Sequence, residues 1–154
     1  MDDISELQGD ILDAALAPED WCAVLDKIHR RFDASGCDLY MFRNDELVFS
    51  AGAGLDVSVP EYIERFIDRE PRSLALSSLP TGGIITDLTL VTRSTLKTSD
   101  YYAEFLPRFG LSGCIAGSVI NTRTHRAYLG IHFPTGRWEF DHELLAGARR
   151  LQPM

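Results

Sequence analysis

Residues 98–133 read TSDYYAEFLPRFGLSGCIAGSVINTRTHRAYLGIHF, and this stretch decides the fold that we predict. It begins with an aromatic-rich helix, about Ser99–Leu106, which the following proline and glycine end. Two strands, near 113–121 and 126–133, come next and form a β-hairpin. A helix that leads into a hairpin in this way predicts one wall and the floor of a pocket for a ligand.

Small side chains on this hairpin leave room beneath the helix. Side chains alternate between the two faces of a strand, so every second residue shares a face. Small residues alternate along the first strand, where Cys114, Ala116 and Ser118 lie opposite Tyr128, Gly130 and His132 on the second. This pattern favours a volume that a ligand can fill. The alternative is that the aromatic residues simply fill a core.

The N-terminal part of the sequence supplies further helices and a second hairpin. Apolar residues at helical spacing predict two antiparallel amphipathic helices, about 4–16 and 18–33. Two β-rich runs, 37–42 and 47–51, flank an Asn-Asp turn and are typical of a pair of strands.

A middle helix is expected after residues 58–61, whose Ser-Val-Pro-Glu sequence resembles a capping box. Pro71 prevents that helix from continuing. We expect a short strand at 84–86 and a last helix after Asp141. This order of elements predicts an α+β domain in which an antiparallel β-sheet of about five strands is flanked by helices on both faces.

The composition is ordinary for a globular protein, with 45% hydrophobic and 25% charged residues. A chain of 154 residues fits a single domain, 1–154. Seven of its 23 acidic residues fall within residues 1–20, which contain no Lys or Arg. Because basic residues are not clustered, we expect no nucleic-acid binding by these residues themselves. No signal peptide and no apolar run of ~20 residues is present, which favours the cytoplasm and no membrane contact.

Neither metal ligation nor catalysis is indicated by the sequence. The histidines and cysteines lack His-Glu-x-x-His and Cys-x-x-Cys spacing, although a pairing of Cys114 with His132 across adjacent strands is an alternative to ordinary packing. No Gly-x-Ser-x-Gly elbow is present. We therefore expect no catalytic residue, no metal and no cofactor. Most carboxylates are interpreted as part of a solvated surface, among them Asp68, Glu70, Asp87 and Glu104.

Three blocks of the sequence resemble the N-terminal sensor domain of LuxR-type transcriptional regulators, an autoinducer-binding-like domain. An aromatic helix ends in Glu70-Pro71, where the family has Asp-Pro. The turn and strand at 79–87 follow it, and the helix at 99–106 with its hairpin forms the third block. Residues 149–153 resemble the point at which such sensors lead into a linker and a helix-turn-helix.

The resemblance implies a fold related in shape to PAS and GAF domains, with a ligand enclosed between sheet and helices. In the autoinducer-binding branch the aspartate before proline accepts a hydrogen bond from the amide of the ligand, and Glu70 occupies the matching position. No tryptophan matches the one that encloses the ring of the ligand, so we expect a different small, largely apolar ligand, or none. The expected ligand-binding residues are Tyr40, Phe42, Tyr62, Phe66, Glu70, Tyr102, Phe105, Ser118, Tyr128 and His132.

By the same resemblance, the chain is expected to be the sensing domain of a LuxR-like transcriptional regulator. It would form a homodimer through the amphipathic helices at 4–33 and 141–151, while DNA binding would reside in a helix-turn-helix domain not present within residues 1–154. Two alternatives remain open. One is a stand-alone PAS- or GAF-like protein-interaction module without a ligand, and the other is a small enzyme that uses the same cavity.

Overall fold

The computed structural model of the chain describes residues 3–55, 58–67 and 69–152, and its centre is an antiparallel sheet of five strands. The strands are β1 (Gly36–Arg43), β2 (Glu46–Ala53), β3 (Ile84–Thr86), β4 (Leu111–Asn121) and β5 (His125–Pro134). Their order across the sheet is β2-β1-β5-β4-β3. Residues from β1, β5 and β4 therefore lie side by side in the middle of the sheet.

Helices fill the connections between these strands. The α-helices of the described residues are α1 (Asp3–Leu16), α2 (Trp21–Arg31), α3 (Val59–Arg65), α4 (Pro71–Leu76), α5 (Asp87–Leu90), α6 (Arg93–Thr98), α7 (Leu106–Arg108) and α8 (His142–Leu151). A 3-10 turn, Pro18–Asp20, precedes α2, and a π-helical segment, Asp100–Phe105, precedes α7. None of the helices seen in these ranges is long and apolar enough to cross a membrane.

Helices α1, α2 and α8 cover one face of the sheet and form the larger core. Every second residue of the central strands points into it, because side chains alternate along a strand. The buried apolar residues of this core include Leu25, Ile28, Leu39, Ile115, Ile131 and Leu151. The side-chain amide of Gln8 donates a hydrogen bond to the carbonyl of Arg150, which joins α1 to α8.

Helices α3 and α4 and the π-helical segment lie over the opposite face. Their aromatic side chains pack on one another: the ring centroids of Phe66 and Phe105 are 4.9 Å apart, and those of Phe66 and Tyr101 are 5.3 Å apart. A smaller group, Leu76 from α4 with Cys114, Ala116 and Tyr128, packs directly on the sheet. The face that carries small residues is thus the face under the aromatic helix.

The predicted fold class is confirmed, since the sheet is antiparallel, has five strands and carries helices on both faces. The two N-terminal helices, both hairpins, the short strand at 84–86 and the last helix also form as predicted. The register of the second hairpin places Cys114 opposite His132 and Ser118 opposite Tyr128.

The helix predicted over 99–106 differs in form and in its end. The Ser99 hydroxyl accepts hydrogen bonds from the amides of Tyr101 and Tyr102, and the chain then continues as the π-helical segment. Pro107 does not end the helix, because it lies in the first turn of α7, where a missing amide proton is tolerated. The chain turns instead at Gly110, whose φ of 69° favours glycine.

The predicted capping box at the start of α3 does not form. The hydroxyl of Ser58 donates to the carbonyl of Leu55 at 3.0 Å and makes no hydrogen bond to an amide of the helix. Helix α3 ends at Arg65, and Pro71 starts α4 instead of merely stopping the preceding helix.

Candidate ligand-binding site

A cavity of about 50 Å³ lies between the small-residue face of the sheet and the helices above it. At about 10–15 Å³ for each water molecule, it has room for roughly four waters. Its wall is largely apolar, with a few polar groups at its two ends. The apolar lining includes Leu55, Val59, Leu76, Phe105, Leu111 and Ala116.

The cavity exists because the middle row of the sheet is nearly without side chains. Gly130 of β5 pairs with Asp38 of β1 on one side and with Ala116 of β4 on the other. The row on one side carries Tyr40 and Tyr128, and the row on the other side carries His132 and Cys114. The sheet therefore forms a shallow depression beneath α4 and the π-helical segment.

Six of the residues predicted to bind a ligand line this cavity: Tyr40, Tyr62, Glu70, Phe105, Tyr128 and His132. They come from β1, α3, the start of α4, the π-helical segment and β5, so the fold brings together residues far apart in sequence. Their role towards a ligand stays a prediction.

The other four predicted residues lie around the cavity and not on its wall. Phe42 packs against Tyr128, and Phe66 is buried within the aromatic cluster. The hydroxyl of Tyr102 donates to Asp87 at 2.9 Å, and its ring lies against Trp138. Ser118 is fully buried on β4, beside Tyr128.

A buried ion pair forms the sheet end of the cavity. Nε2 of His132 lies 3.0 Å from Oδ2 of Asp38 and 4.0 Å from Sγ of Cys114. Burial disfavours the charged imidazole, but the Asp38 carboxylate and Cys114 outweigh it and raise the pKa of His132 to about 10. This pairing with Asp38 favours the protonated imidazole, which donates from both ring nitrogens.

The helix end of the cavity carries Glu70, which caps α4. Its carboxylate accepts hydrogen bonds from the amide of Arg72 at 2.6 Å, the amide of Ser73 at 2.8 Å and the hydroxyl of Tyr62 at 3.0 Å. Burial raises the pKa of Glu70, while the charge of Arg72 and these hydrogen bonds act in the opposite direction. Glu70 was expected, like most carboxylates, to belong to a solvated surface. It is buried instead.

A second buried carboxylate, Asp87, also departs from that expectation. Both of its oxygens bind the guanidinium of Arg72, at 2.6 and 3.2 Å, and it also accepts from the amide of Cys114 at 2.7 Å. Arg72 donates further to the hydroxyl of Tyr101 and to the carbonyl of Ser112, each at 2.7 Å. Burial opposes the charge of Arg72, but Asp87 outweighs it and raises the pKa of Arg72.

Glu104 is exposed as expected, and Asp68 lies outside the described residues.

Two polar atoms on the cavity-lining side chains have no hydrogen-bond partner in the ranges that the structure describes: the hydroxyl of Tyr40 and Nδ1 of His132. Both atoms are buried. Burial and the neighbouring Asp38 raise the pKa of Tyr40, so its hydroxyl keeps its proton. Buried polar groups are normally satisfied, and these two are therefore the groups most available to a ligand.

This arrangement provides binding groups and not a catalytic triad. In a nucleophile–histidine–acid triad, the acid and the nucleophile lie at different ring nitrogens. Here Asp38 and Cys114 both lie at Nε2 of His132. Among residues 3–55, 58–67 and 69–152, no group of three or more His, Cys, Asp and Glu side chains is placed to hold a metal ion.

Sequence reasoning missed Asp38, Arg72, Asp87 and Tyr101 as parts of the site. The partners of Arg72 lie 15, 29 and 40 residues further along the chain, so no local spacing in the sequence indicates this hydrogen-bond network. One usable signal exists for Asp38: it shares a strand face with Tyr40, because the two residues are two positions apart.

Similarity to solved structures agrees with this geometry. The chain superimposes on the LBD domain of VqsR from Pseudomonas aeruginosa with a TM-score of 0.64 and 14% sequence identity, covering 96% of this chain and 95% of that one. It also superimposes on SdiA from Escherichia coli with a TM-score of 0.61 and 11% identity, covering 98% of this chain but only 58% of SdiA. No family model and no curated protein matches the sequence.

At these identities the comparison establishes the fold, which is that of LuxR-type autoinducer-binding domains. The resemblance to such sensor domains predicted from the sequence is thereby confirmed at the level of the fold.

Proposed function

We propose that residues 1–154 form a single small-molecule-sensing domain of a LuxR-like transcriptional regulator. One observation carries the proposal: a largely apolar cavity, with two unsatisfied polar groups on its wall, lies between the sheet and the aromatic helices. The fold is shared with a protein domain whose name marks it as ligand-binding. The domain would act in the cytoplasm, without catalysis and without a cofactor.

Strand β4 offers a path from this cavity to the C-terminal helix. Ala116 lines the cavity, and its neighbour Gly117 lies on the other face, directly against the side chain of Gln152. A methyl group at Gly117 would overlap that side chain. A ligand that shifts β4 would therefore change how the end of α8 packs, to the extent of its differential affinity for the two states.

The terminal helices would carry the signal between two copies of the chain. Helices α1 and α8 pack on each other, and the second half of α1 exposes the apolar side chains of Leu12 and Leu16. We place the homodimer contact on these helices. DNA would be bound only by a helix-turn-helix domain that residues 1–154 do not contain, and its spacing would follow from the packing of the dimer.

The test of sensing is whether a small molecule binds in the cavity. Ala116→Val adds two methyl groups at the cavity wall, and Ala51→Val adds the same groups to β2 on the opposite face. Small apolar molecules, titrated into ¹⁵N-labelled protein, should bind the wild type and Ala51→Val but not Ala116→Val. Native mass spectrometry of the purified wild type would reveal a molecule that co-purifies. Absence of any binding to the wild type, or equal binding to Ala116→Val, would overturn the proposal.

A second candidate function is a stand-alone PAS- or GAF-like interaction module without a ligand. The small volume of the cavity, about 50 Å³, is the observation that favours it. In that case the aromatic cluster of Phe66, Tyr101 and Phe105 acts only as a core. The titration above separates the two candidates, because a filled core binds none of the molecules.

A further inference from the structure

The polar groups of the cavity define which kind of molecule it accepts. We propose that the sheet end of the cavity, formed by His132 and Tyr40 over Gly130, binds the hydrogen-bond acceptor of a small neutral ligand, such as a carbonyl oxygen on an apolar ring. This inference rests on the proposed sensing function and adds to it the chemical class of the ligand and its orientation.

The two polar side chains at this end of the cavity, His132 and Tyr40, both lie beside Asp38. Asp38 holds Nε2 of His132 at 3.0 Å, which orients the ring. The remaining ring nitrogen, Nδ1, is buried without a partner in the part of the chain that the structure describes, as is the hydroxyl of Tyr40. Both residues are more than nine-tenths buried and line the cavity. Such groups gain most from an acceptor, because each is costly to leave unpaired.

The charges on the wall exclude a charged ligand. The charge of His132 is balanced by Asp38, and that of Arg72 by Asp87. With these two pairs balanced, the carboxylate of Glu70 remains, and it would repel an anion. A cation would have only Glu70, whose oxygens already accept three hydrogen bonds. A buried charge without a counter-ion is strongly unfavourable, so the ligand is neutral.

The helix end of the cavity accommodates the apolar body of the ligand. Val59 of α3 and Leu76 of α4 line the cavity here, together with other apolar side chains. The volume, about 50 Å³, has room for roughly four waters, which limits the ligand to a small molecule. The acceptor would then point towards β1 and β5, and the ring towards α3 and α4.

Four molecules built on one ring test this assignment with the full chain at pH 7. Cyclopentanone carries a neutral acceptor, and methylenecyclopentane has the same shape without one. Cyclopentanecarboxylate and cyclopentylammonium carry the two signs of charge. Titrations are followed by ¹H–¹⁵N spectra of the backbone and by the ¹⁵N resonance of Nδ1 of His132. Cyclopentanone should bind about tenfold more tightly than methylenecyclopentane and should shift the Nδ1 resonance, with neither ion binding measurably.

Two tyrosine variants locate the hydrogen bond. Tyr40→Phe removes the unpartnered hydroxyl. It should lower the affinity for cyclopentanone about fivefold and leave the affinity for methylenecyclopentane unchanged. Tyr128→Phe is the matched control, because Tyr128 also lines the cavity but its hydroxyl already accepts from Arg126 at 2.9 Å. This control should leave both affinities unchanged. Thermal unfolding of each variant verifies that the fold is intact.

The outcomes separate the two proposals. The acceptor assignment is overturned if the ketone and the alkene bind equally, or if either ion binds more tightly than the ketone. It is also overturned if Tyr40→Phe weakens the binding of the ketone and the alkene by the same factor. Each of these results leaves the sensing function intact. Failure of all four molecules to perturb the cavity resonances overturns the acceptor assignment together with the proposed function.

Discussion

Gly130 lies in the middle of β5, where an added methyl group would lie 2.5 Å from Oδ1 of Asp38 and 2.9 Å from Nε2 of His132. Carbon atoms are not found this close to such neighbours, so Gly130→Ala must displace the side chain of Asp38, of His132 or of both and should weaken the ion pair. Because the pair is buried, we expect the free energy of unfolding to fall by about 3 kcal/mol, the usual cost of breaking such a pair. Urea denaturation at pH 7 measures this change.

Gly9→Ala provides the matched control for that experiment. Gly9 is exposed on α1, and a methyl group there would meet nothing within 4 Å. Since alanine is a better helix former than glycine, the free energy of unfolding of this variant should rise by about 0.5–1 kcal/mol. A loss below 1 kcal/mol in Gly130→Ala would contradict the close approach on which the ion pair depends.

The same ion pair makes stability depend on pH. The pKa of His132 is about 10 in the folded protein, against an ordinary value of 6.5. The folded state thus binds the proton more tightly, so its stabilisation is complete below pH 6.5 and is lost as the pH rises through 10. Between these values the free energy of unfolding should fall by at most about 1.4 kcal/mol per pH unit. Urea denaturation from pH 6 to pH 8.5 would follow the decline.

Asp38→Asn identifies the origin of this decline. Without the carboxylate, the main cause of the raised pKa of His132 is gone, and the slope below pH 8.5 should become flat. Burial also raises the pKa of the Cys37 thiol, which adds to the pH dependence of the free energy of unfolding in both proteins at higher pH. The comparison therefore ends at pH 8.5. Equal slopes in the two proteins would assign the decline to other groups.

The polar residues of the site show what a sequence alone leaves undetermined. Tyr40 and His132 were predicted from strand alternation, which is a local property. Asp87 and Arg72 were not, because their burial follows from the way α4, α5 and β4 meet. Without knowledge of its distant partner, a carboxylate such as Asp87 is interpreted from the sequence as a surface group.

Among the helices, α4 depends on its first residues more than on its length. It has only six residues, and Glu70 accepts hydrogen bonds from two of its amides. We expect Glu70→Ala to lower the free energy of unfolding by about 1–2 kcal/mol in the absence of any ligand, because the cap is lost. Chemical denaturation measures the loss, which a role of Glu70 in ligand binding alone would not produce.

Glu104→Ala is the control for the cap, because Glu104 is exposed on the π-helical segment. It should change stability by less than about 0.5 kcal/mol, as surface substitutions usually do. If Glu70→Ala is equally mild, the cap is not what holds the start of α4.

The long elements and the strand at 84–86 could be predicted from the sequence, and the short helices could not. Helices α1 and α2 span enough turns for an apolar period to be visible, and the hairpins are marked by their turns. Helices α4, α5 and α6 have four to six residues, fewer than two turns, so no period can emerge. The π-helical segment has the composition of an ordinary helix, and its wider turn depends on packing.

For the protein as a whole, the sheet separates the cavity from the terminal helices. The central strands β4 and β5 contribute alternate residues to both sides, so a change on one face reaches the other within a single strand. Gly117 is the closest example, because Gln152 at the end of α8 rests on it directly behind Ala116. This geometry supports a role for α8 and its partner α1 in reporting the state of the cavity.

If α1 forms the contact between two copies, a charge on its exposed apolar side should disrupt the dimer. Leu16 is 89% exposed and Leu12 is 71% exposed, and burying such side chains against a second copy would be favourable. Leu16→Lys should therefore convert a dimer into the 17.2 kDa monomer in sedimentation velocity experiments, with no loss of fold. Leu74→Lys changes an exposed leucine of α4, away from the terminal helices, and should leave the dimer intact. A wild type that is already monomeric would contradict the proposed homodimer. A dimer that is lost only in Leu74→Lys would place the contact elsewhere and would separate the terminal helices from the transmission of the signal.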